Sequence, residues 1–218
     1  MKKVLLLILS FCFFSVACSC KNEIDLETYL SQKRTAVYVC DNKEYGLSVF
    51  IEERENPFLS DGFVGTISKF ITVKIENFTS SLDEVSVTVN YDENSVSKKL
   101  DYNPINGKFT AEILVENLPN SDEISVSVVN MGEEKTLTLT RLKCEKIDYK
   151  TALNSVSKTA KNEIENMLKN GATIEVRLRL LPEGDRYYYY VSITDNNKKT
   201  LAFLVDGETA KILATKTL

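Results

Sequence analysis

Four consecutive tyrosines, residues 187–190, form the most conspicuous group of side chains that could bind a ligand. Alternate residues of a strand point to opposite faces, so Tyr187 and Tyr189 would share a face with the apolar residues that follow them. Tyr188 and Tyr190 would share the other, more polar face with hydroxyl residues. That second pair is typical either of an aromatic platform for a peptide or sugar, or of an ordinary half-buried strand with high β-propensity.

Two arginines, Arg177 and Arg179, alternate in the strand that precedes the tyrosines. If the two strands pair, both polar faces form one surface. Guanidinium groups can stack on aromatic rings within the sheet, or they can capture an acidic partner. Tyr and Arg are enriched among the residues that dominate protein–protein contacts, so we predict a partner-binding surface there.

A second candidate is the segment of residues 54–63, which carries Phe58, Leu59 and Phe63 between turn-forming residues. Loops run over protein surfaces and often carry binding residues, so Phe58 is a candidate contact for a partner. The alternative is that these apolar side chains cap the end of a hydrophobic core. The sequence leaves both interpretations open.

Most catalytic chemistry lacks its residues in this chain. The 218 residues contain no His, which excludes Ser-His-Asp and Cys-His catalysis and every His-ligated metal site. The carboxylates fall mostly at strand ends and turns, without the spacing of a calcium loop, and no Gly-rich phosphate loop is present. The net charge of −4 opposes binding to nucleic acid. We therefore expect a protein that is not an enzyme and has no cofactor, metal or nucleic-acid partner.

Two of the five cysteines, Cys40 and Cys144, lie in the part of the chain that should fold. Disulfides form in proteins that are exported, so these two cysteines are a candidate disulfide. The alternative is a pair of thiols that behave as small apolar side chains. No Cys-x-x-Cys motif is present, so a redox or zinc-ribbon motif is not supported.

The first 17 residues have the pattern of a signal peptide. Two lysines precede an apolar stretch at 4–17, which is too short to span a bilayer comfortably. This stretch ends in Ala17 and Cys18 and resembles the lipobox of bacterial lipoproteins, in which the cysteine is acylated with fatty acids such as palmitate. The resemblance implies lipid attachment at Cys18 and an extracytoplasmic protein anchored to the bacterial cell membrane. An ordinary cleaved signal, an uncleaved anchor and acylation at Cys20 are the alternatives.

The body of the chain is predicted to have two parts after a polar tether at 18–34. Residues 35–145 alternate between apolar and polar side chains in short runs separated by turns, which predicts an antiparallel all-β sandwich. The clearest alternation, at 85–91, places Val85, Val87 and Val89 on one face. In the length and number of its strands this segment resembles an immunoglobulin-like domain.

Near residue 146 the hydrophobic period changes from two to about 3.6. Apolar residues at spacings of three and four from Tyr149 to Met167 predict one helix with Asp148 as its N-cap, and four strands follow. This helix and antiparallel meander predict a small α+β domain at 146–218. Its closing residues, with Val205, Asp206 and Thr209, resemble the end of PepSY-type domains, which implies a binding or regulatory module.

Together these patterns predict a cell-envelope lipoprotein that binds or regulates another envelope protein. A structural or stress-related surface lipoprotein without a discrete ligand is the alternative. An enzyme of a type that the motifs do not reveal is the third interpretation.

Overall fold

The computed structural model describes residues 24–40, 44–76, 85–144, 146–184 and 186–218 of the chain. The predicted signal peptide at 1–17, the predicted lipid-attachment residue Cys18 and the first part of the predicted tether lie outside the described residues.

Hydrogen-bonded β-sheet dominates the described residues. The thirteen strands found there are β1 (Leu30–Val39), β2 (Ser48–Glu55), β3 (Ile67–Ile75), β4 (Ser86–Tyr91), β5 (Asn94–Lys99), β6 (Asp101–Asn103), β7 (Lys108–Val115), β8 (Glu123–Asn130), β9 (Glu133–Arg141), β10 (Ile174–Glu183), β11 (Arg186–Asp195), β12 (Thr200–Asp206) and β13 (Ile212–Thr217). Nine of them form a long sheet in the order β13-β12-β11-β10-β1-β2-β3-β7-β6. Pairing is antiparallel throughout this sheet except between β1 and β10, which run parallel.

The other four strands form a second layer in the order β9-β8-β4-β5, which joins the long sheet where β9 pairs with β1. The two layers enclose a core to which the alternating apolar residues of both contribute, including Val87, Val89, Ile71 and Val126. The sequence prediction of an antiparallel β-sandwich is therefore confirmed. It succeeds because one face of each strand is apolar and must be buried against the other layer.

Two short helices separate the sandwich strands from β10. They are α1 (Tyr149–Thr159) and α2 (Lys161–Met167), so the single helix that the sequence predicted is broken at Ala160. The predicted N-cap is confirmed, because the Asp148 side chain accepts a hydrogen bond from the Thr151 amide at 2.8 Å. The apolar stripe survives the break, and its residues Leu153, Val156, Ile164 and Met167 are buried.

The helices form a second core with the inner face of β10, β11 and β12, where Leu178, Tyr189 and Phe203 are buried. Leu178 of β10 lies opposite Lys33 of β1, which in turn lies opposite Glu53 of β2. Residues two apart in a strand share a face, so Ile51 of β2 lies on the same side of the sheet as Leu178. Since Ile51 belongs to the sandwich core, the helices and the second β-layer pack on the same side of the long sheet. The other side of β1, β2, β10 and β11 carries polar side chains that include Arg34 and Arg179.

The structure differs from the sequence prediction at the predicted tether of residues 18–34. Strand β1 begins at Leu30, inside that segment, after a 3₁₀ turn at Leu26–Tyr29. The first half of β1 is mostly polar, so the alternation of apolar and polar side chains did not predict a strand there. It is nonetheless strongly held, because β2 pairs with one edge and β10 with the other.

The candidate disulfide between Cys40 and Cys144 is not formed in the structure. Cys40 packs against the sandwich core, whereas Cys144 packs against the helical core. The two side chains are thus drawn toward different hydrophobic clusters. Burial raises the pKa of the Cys144 thiol, which keeps it protonated near neutral pH.

Candidate binding surface

Polar side chains from four adjacent strands line up on the side of the long sheet that faces away from the helices. The strand register places Glu52 of β2 opposite Arg34 of β1, Arg34 opposite Arg179 of β10, and Arg179 opposite Tyr190 of β11. A parallel row two residues further along each strand begins with Arg54.

The second row contains Gln32 and Arg177 between Arg54 and Ser192. We call the surface formed by Arg34, Arg54, Arg177 and Arg179, together with Gln32 and Glu52, the arginine face.

A chain of hydrogen bonds connects Glu52, Arg34 and Arg179 of the first row through Gln32 of the second. Arg34 donates to Oε1 of Glu52 through Nε at 3.1 Å and through a terminal nitrogen at 2.6 Å. The Gln32 amide donates to the other carboxylate oxygen of Glu52 at 2.6 Å, and its own oxygen accepts from Nε of Arg179 at 2.8 Å. Glu52 is only 3% exposed, so these bonds replace the water that its charge would otherwise hold.

Aromatic rings support three of the four guanidinium groups. Arg34 lies 4.4 Å from the ring centre of Phe50, and Arg54 lies 4.2 Å from that of Phe70. Arg177 lies 4.5 Å from the ring centre of Phe58, which projects from the loop between β2 and β3. Stacking of this kind is favourable, because a planar cation is attracted to the negative face of an aromatic ring.

Arg177 and Glu175 form an ion pair at the end of the arginine face where β10 begins. Glu175 has no exposed surface, and burial raises the pKa of its carboxyl group, although Arg177 opposes that shift. One oxygen of Glu175 and Nε of Arg177 are buried without a hydrogen-bond partner in the described part of the chain.

Arg179 differs from the other three arginines because no carboxylate among the described residues forms an ion pair with it. Arg34 pairs with Glu52, Arg54 with Glu112 and Arg177 with Glu175. Burial lowers the pKa of Arg179, and the neighbouring charge of Arg34 lowers it further. The arginine face therefore carries one cation that an anionic group of a partner could neutralise.

A groove of about 610 Å³ extends the arginine face at the end where β10 separates from β1. Arg34 and Phe50 line one wall, and Leu181 with Pro182 at the end of β10 line the other. Leu181 lies opposite Tyr188 in β11. The groove thus combines apolar walls with a guanidinium group, which is the usual composition of a small binding site.

The structure brings the predicted binding residues together on one side of the molecule. Arg177, Arg179, Tyr188 and Tyr190 share the outer side of β10 and β11, and Phe58 lies over Arg177. All but Phe58 are half-buried, and Phe58 is exposed. The division of the tyrosines is also confirmed, because the other two belong to the helical core. Whether these residues bind a partner stays a prediction.

Sequence reasoning missed Arg34, Gln32 and Glu52, which organise the centre of this surface. The first two lie in the predicted tether. One signal was present: β1, β2 and β10 each carry two polar residues at a spacing of two, in positions that should face the same side. Their assembly into one surface depends on strand pairing between distant parts of the chain, which the spacing does not specify.

No protein-family model matches the chain, and comparison with curated proteins finds no significant match. Within the described residues, no helix is both long and apolar enough to cross a membrane. The same residues contain no cluster of three or more Asp, Glu or Cys side chains suited to holding a metal ion.

Proposed function

We propose that this chain is a bacterial cell-envelope lipoprotein, anchored through Cys18, whose body is a non-catalytic binding or regulatory module for another envelope protein. In this proposal an immunoglobulin-like sandwich at 35–145 supports a PepSY-like α+β module at 146–218. The partner contacts the outer side of β10 and β11.

The observation that carries this proposal is the position of Arg179 beside Tyr190. Arg179 has an amide partner at Nε but no carboxylate partner among the described residues, and Tyr190 lies directly opposite it. An arginine held in a partly desolvated position gains most from an anionic acceptor, because that acceptor restores the solvation lost on burial. Tyr188 and Tyr190 supply rigid contact area around it.

The chemistry of the surface also defines the partner's contact region. A carboxylate next to an apolar or aromatic side chain would match Arg179, the two tyrosines and the apolar walls of the groove. Such contacts are directional, since a guanidinium group binds a carboxylate through two parallel hydrogen bonds. We therefore expect a protein segment with an Asp or Glu that is flanked by apolar residues.

Crosslinking of the anchored protein in its native envelope, followed by identification of the captured proteins, tests this proposal. The same partner should be captured less by the double variant Tyr188→Ser, Tyr190→Ser and by Arg179→Gln. Truncation of a central contact weakens binding by about 2 kcal/mol or more, which is roughly a 30-fold increase in Kd.

The matched control is Tyr102→Ser in β6, because Tyr102 is also partly exposed and lies at the opposite edge of the long sheet. Capture should be unchanged in this variant. Thermal unfolding of each variant must accompany the measurement. A collapsed melting temperature in the double variant would mean that the two rings stabilise the fold instead, and equal capture by all variants would exclude this surface.

A further inference from the structure

Exposed apolar side chains are concentrated in one short segment of the molecule, residues 56–67, which we call the apolar loop. Of the eleven large apolar side chains exposed in the described residues, five lie in this segment. They are Phe58, Leu59, Phe63, Val64 and Ile67. Contiguous exposed apolar side chains in a folded protein mark a contact with another protein or with a membrane.

The apolar loop is held in place by its polar groups, which are bonded inward. The backbone amide of Asn56 donates to the backbone carbonyl of Thr66 at 3.0 Å, and the buried Glu55 carboxylate accepts from the backbone amide of Gly65. The Phe63 amide donates to the Asp61 carboxylate at 3.0 Å. These bonds satisfy the backbone amides of Asn56, Phe63 and Gly65, and the loop presents the side chains of Leu59 and Phe63, each of which is 53% exposed.

The position of the apolar loop relative to the start of the chain suggests what it contacts. Gln32 lies opposite Arg54, and Glu55 lies opposite Ile67, so the loop emerges from the end of the sheet where β1 begins. The described chain starts at Ile24, whose carbonyl accepts a hydrogen bond from Ser157 at 2.7 Å. Cys18 precedes Ile24 by only six residues, which span at most about 20 Å when fully extended.

Basic residues lie next to the apolar loop at this end. Gly62 packs against the backbone of Asp195 and Asn196 in the turn between β11 and β12. The same turn carries Lys198 and Lys199, which are exposed and form no ion pair with the described residues. Each lysine close to an anionic membrane surface contributes about 1 kcal/mol of attraction. Apolar side chains flanked by lysines are typical of segments that lie in the membrane interface.

We propose that the apolar loop inserts Leu59, Phe63 and Val64 into the headgroup region of the membrane that holds the anchor, with Lys198 and Lys199 at the lipid phosphates. This inference rests on the lipid anchor of the proposed function. The body then stands with the start of β1 toward the bilayer, and the arginine face lies on the side of the molecule, accessible to a partner in the same membrane.

The chain contains no Trp, so one introduced Trp reports on its own position. We would place the full-length lipidated Phe63→Trp variant in vesicles of phosphatidylcholine and phosphatidylglycerol, with and without phosphatidylcholine brominated in the upper acyl chain. Interfacial apolar segments lie about 5–10 Å into the headgroup and acyl boundary, so the brominated lipid should quench the emission of this Trp. Replacing both lysines by Gln should reduce the quenching in these anionic vesicles.

The matched control is Ile105→Trp, in the turn that precedes β7. Ile105 is 95% exposed, and because Phe109 lies opposite Ile75, this turn is at the far end of β3 from Ile67. Its emission should not be quenched. If the protein floats with the vesicles but the Trp of Phe63→Trp is not quenched, the lipid anchor is supported. The contact between the apolar loop and the membrane is then overturned. Quenching of both variants would overturn the upright orientation, and a chain that does not float would overturn the anchor and this contact together.

Discussion

Arg34 lies directly opposite Arg179 across the parallel pair of β1 and β10, although the two residues are far apart in the sequence. Like charges at directly opposed positions destabilise a sheet. The Glu52 carboxylate, on the other side of Arg34, and the Gln32 amide offset this repulsion, since Glu52 accepts from both Arg34 and Gln32, and Gln32 in turn accepts from Arg179. One buried carboxylate is therefore bonded to Arg34 directly and to Arg179 through Gln32.

Glu52→Gln should be strongly destabilising, by about 3 kcal/mol, because it leaves the half-buried guanidinium group of Arg34 without its carboxylate partner. Its neighbour Glu53 provides a matched control with the same chemical change. Glu53 forms a half-exposed ion pair with Lys33 at 2.5 Å, and an ion pair that water still reaches contributes at most about 1 kcal/mol. Urea unfolding of both variants measures the difference. Equal effects would contradict the central role of Glu52.

Tyr189→Ala and Tyr188→Ala should differ in stability although the residues are adjacent. Tyr189 is 2% exposed and its hydroxyl donates to the Ile147 carbonyl at 3.2 Å, so its truncation should cost about 3–5 kcal/mol. Tyr188 lies on the outer side of β11 and its truncation should cost about 1 kcal/mol or less. Thermal unfolding tests this division, and a larger loss for Tyr188 would show that the outer face is also core.

Tyr149 should make a contribution to the free energy of unfolding that depends on pH in the alkaline range. Its hydroxyl donates to Glu27 at 2.7 Å, and burial together with this hydrogen bond raises the pKa of Tyr149 from 10 to about 12. A raised pKa in the folded state means that the contribution is fully present below pH 10 and is lost as the pH rises toward 12.

The measurement is the difference in free energy of unfolding between the wild type and Tyr149→Phe across this range. The difference should be about 1 kcal/mol at neutral pH and should shrink between pH 10 and 12. When Glu27 is also replaced by Gln, the pKa of Tyr149 should be raised less, since the neighbouring negative charge is absent. A difference that stays constant up to pH 12 would contradict the bond between Tyr149 and Glu27.

Gly62→Ala should displace the apolar loop, whereas Gly107→Ala should not disturb its surroundings. Both glycines have positive φ, at +84° and +67°, so each substitution costs about 1–2 kcal/mol of backbone strain. A Cβ at Gly62 would also collide with the backbone of Asn196, while nothing lies within 4 Å at Gly107. We expect Gly62→Ala to lose about 2 kcal/mol more in denaturant unfolding, and equal losses would mean that this contact is not tight.

Local patterns predicted the elements of this protein well where burial follows the sequence directly. The alternation of Val85, Val87 and Val89 correctly predicted a strand with one buried face, and Asp148 correctly predicted the start of a helix. Both predictions depend only on residues that are close together in the sequence. The predicted single helix was wrong only at Ala160, where the apolar stripe continues although the backbone leaves the helical conformation.

The candidate surface was predictable in part. The alternation of Tyr187 to Tyr190 was sufficient to separate core from surface, because a strand's period of two leaves only two choices. The position of Phe58 over Arg177 was not predictable, since it depends on how a loop folds back over a distant strand. Lipid attachment at Cys18 and the PepSY-like resemblance rest on sequence motifs alone and stay predictions.

The sequence by itself determined which residues of each strand face a core, because the free energy of burying apolar side chains acts on every strand separately. Only the tertiary structure decided that β1 lies between β2 and β10, since parallel pairing joins segments far apart in the chain. That pairing turned Gln32 and Arg34, polar residues of an apparent tether, into the centre of a sheet. A buried polar residue is stable only where partners such as Glu52 are brought to it, and those partners come from strands that no local pattern connects.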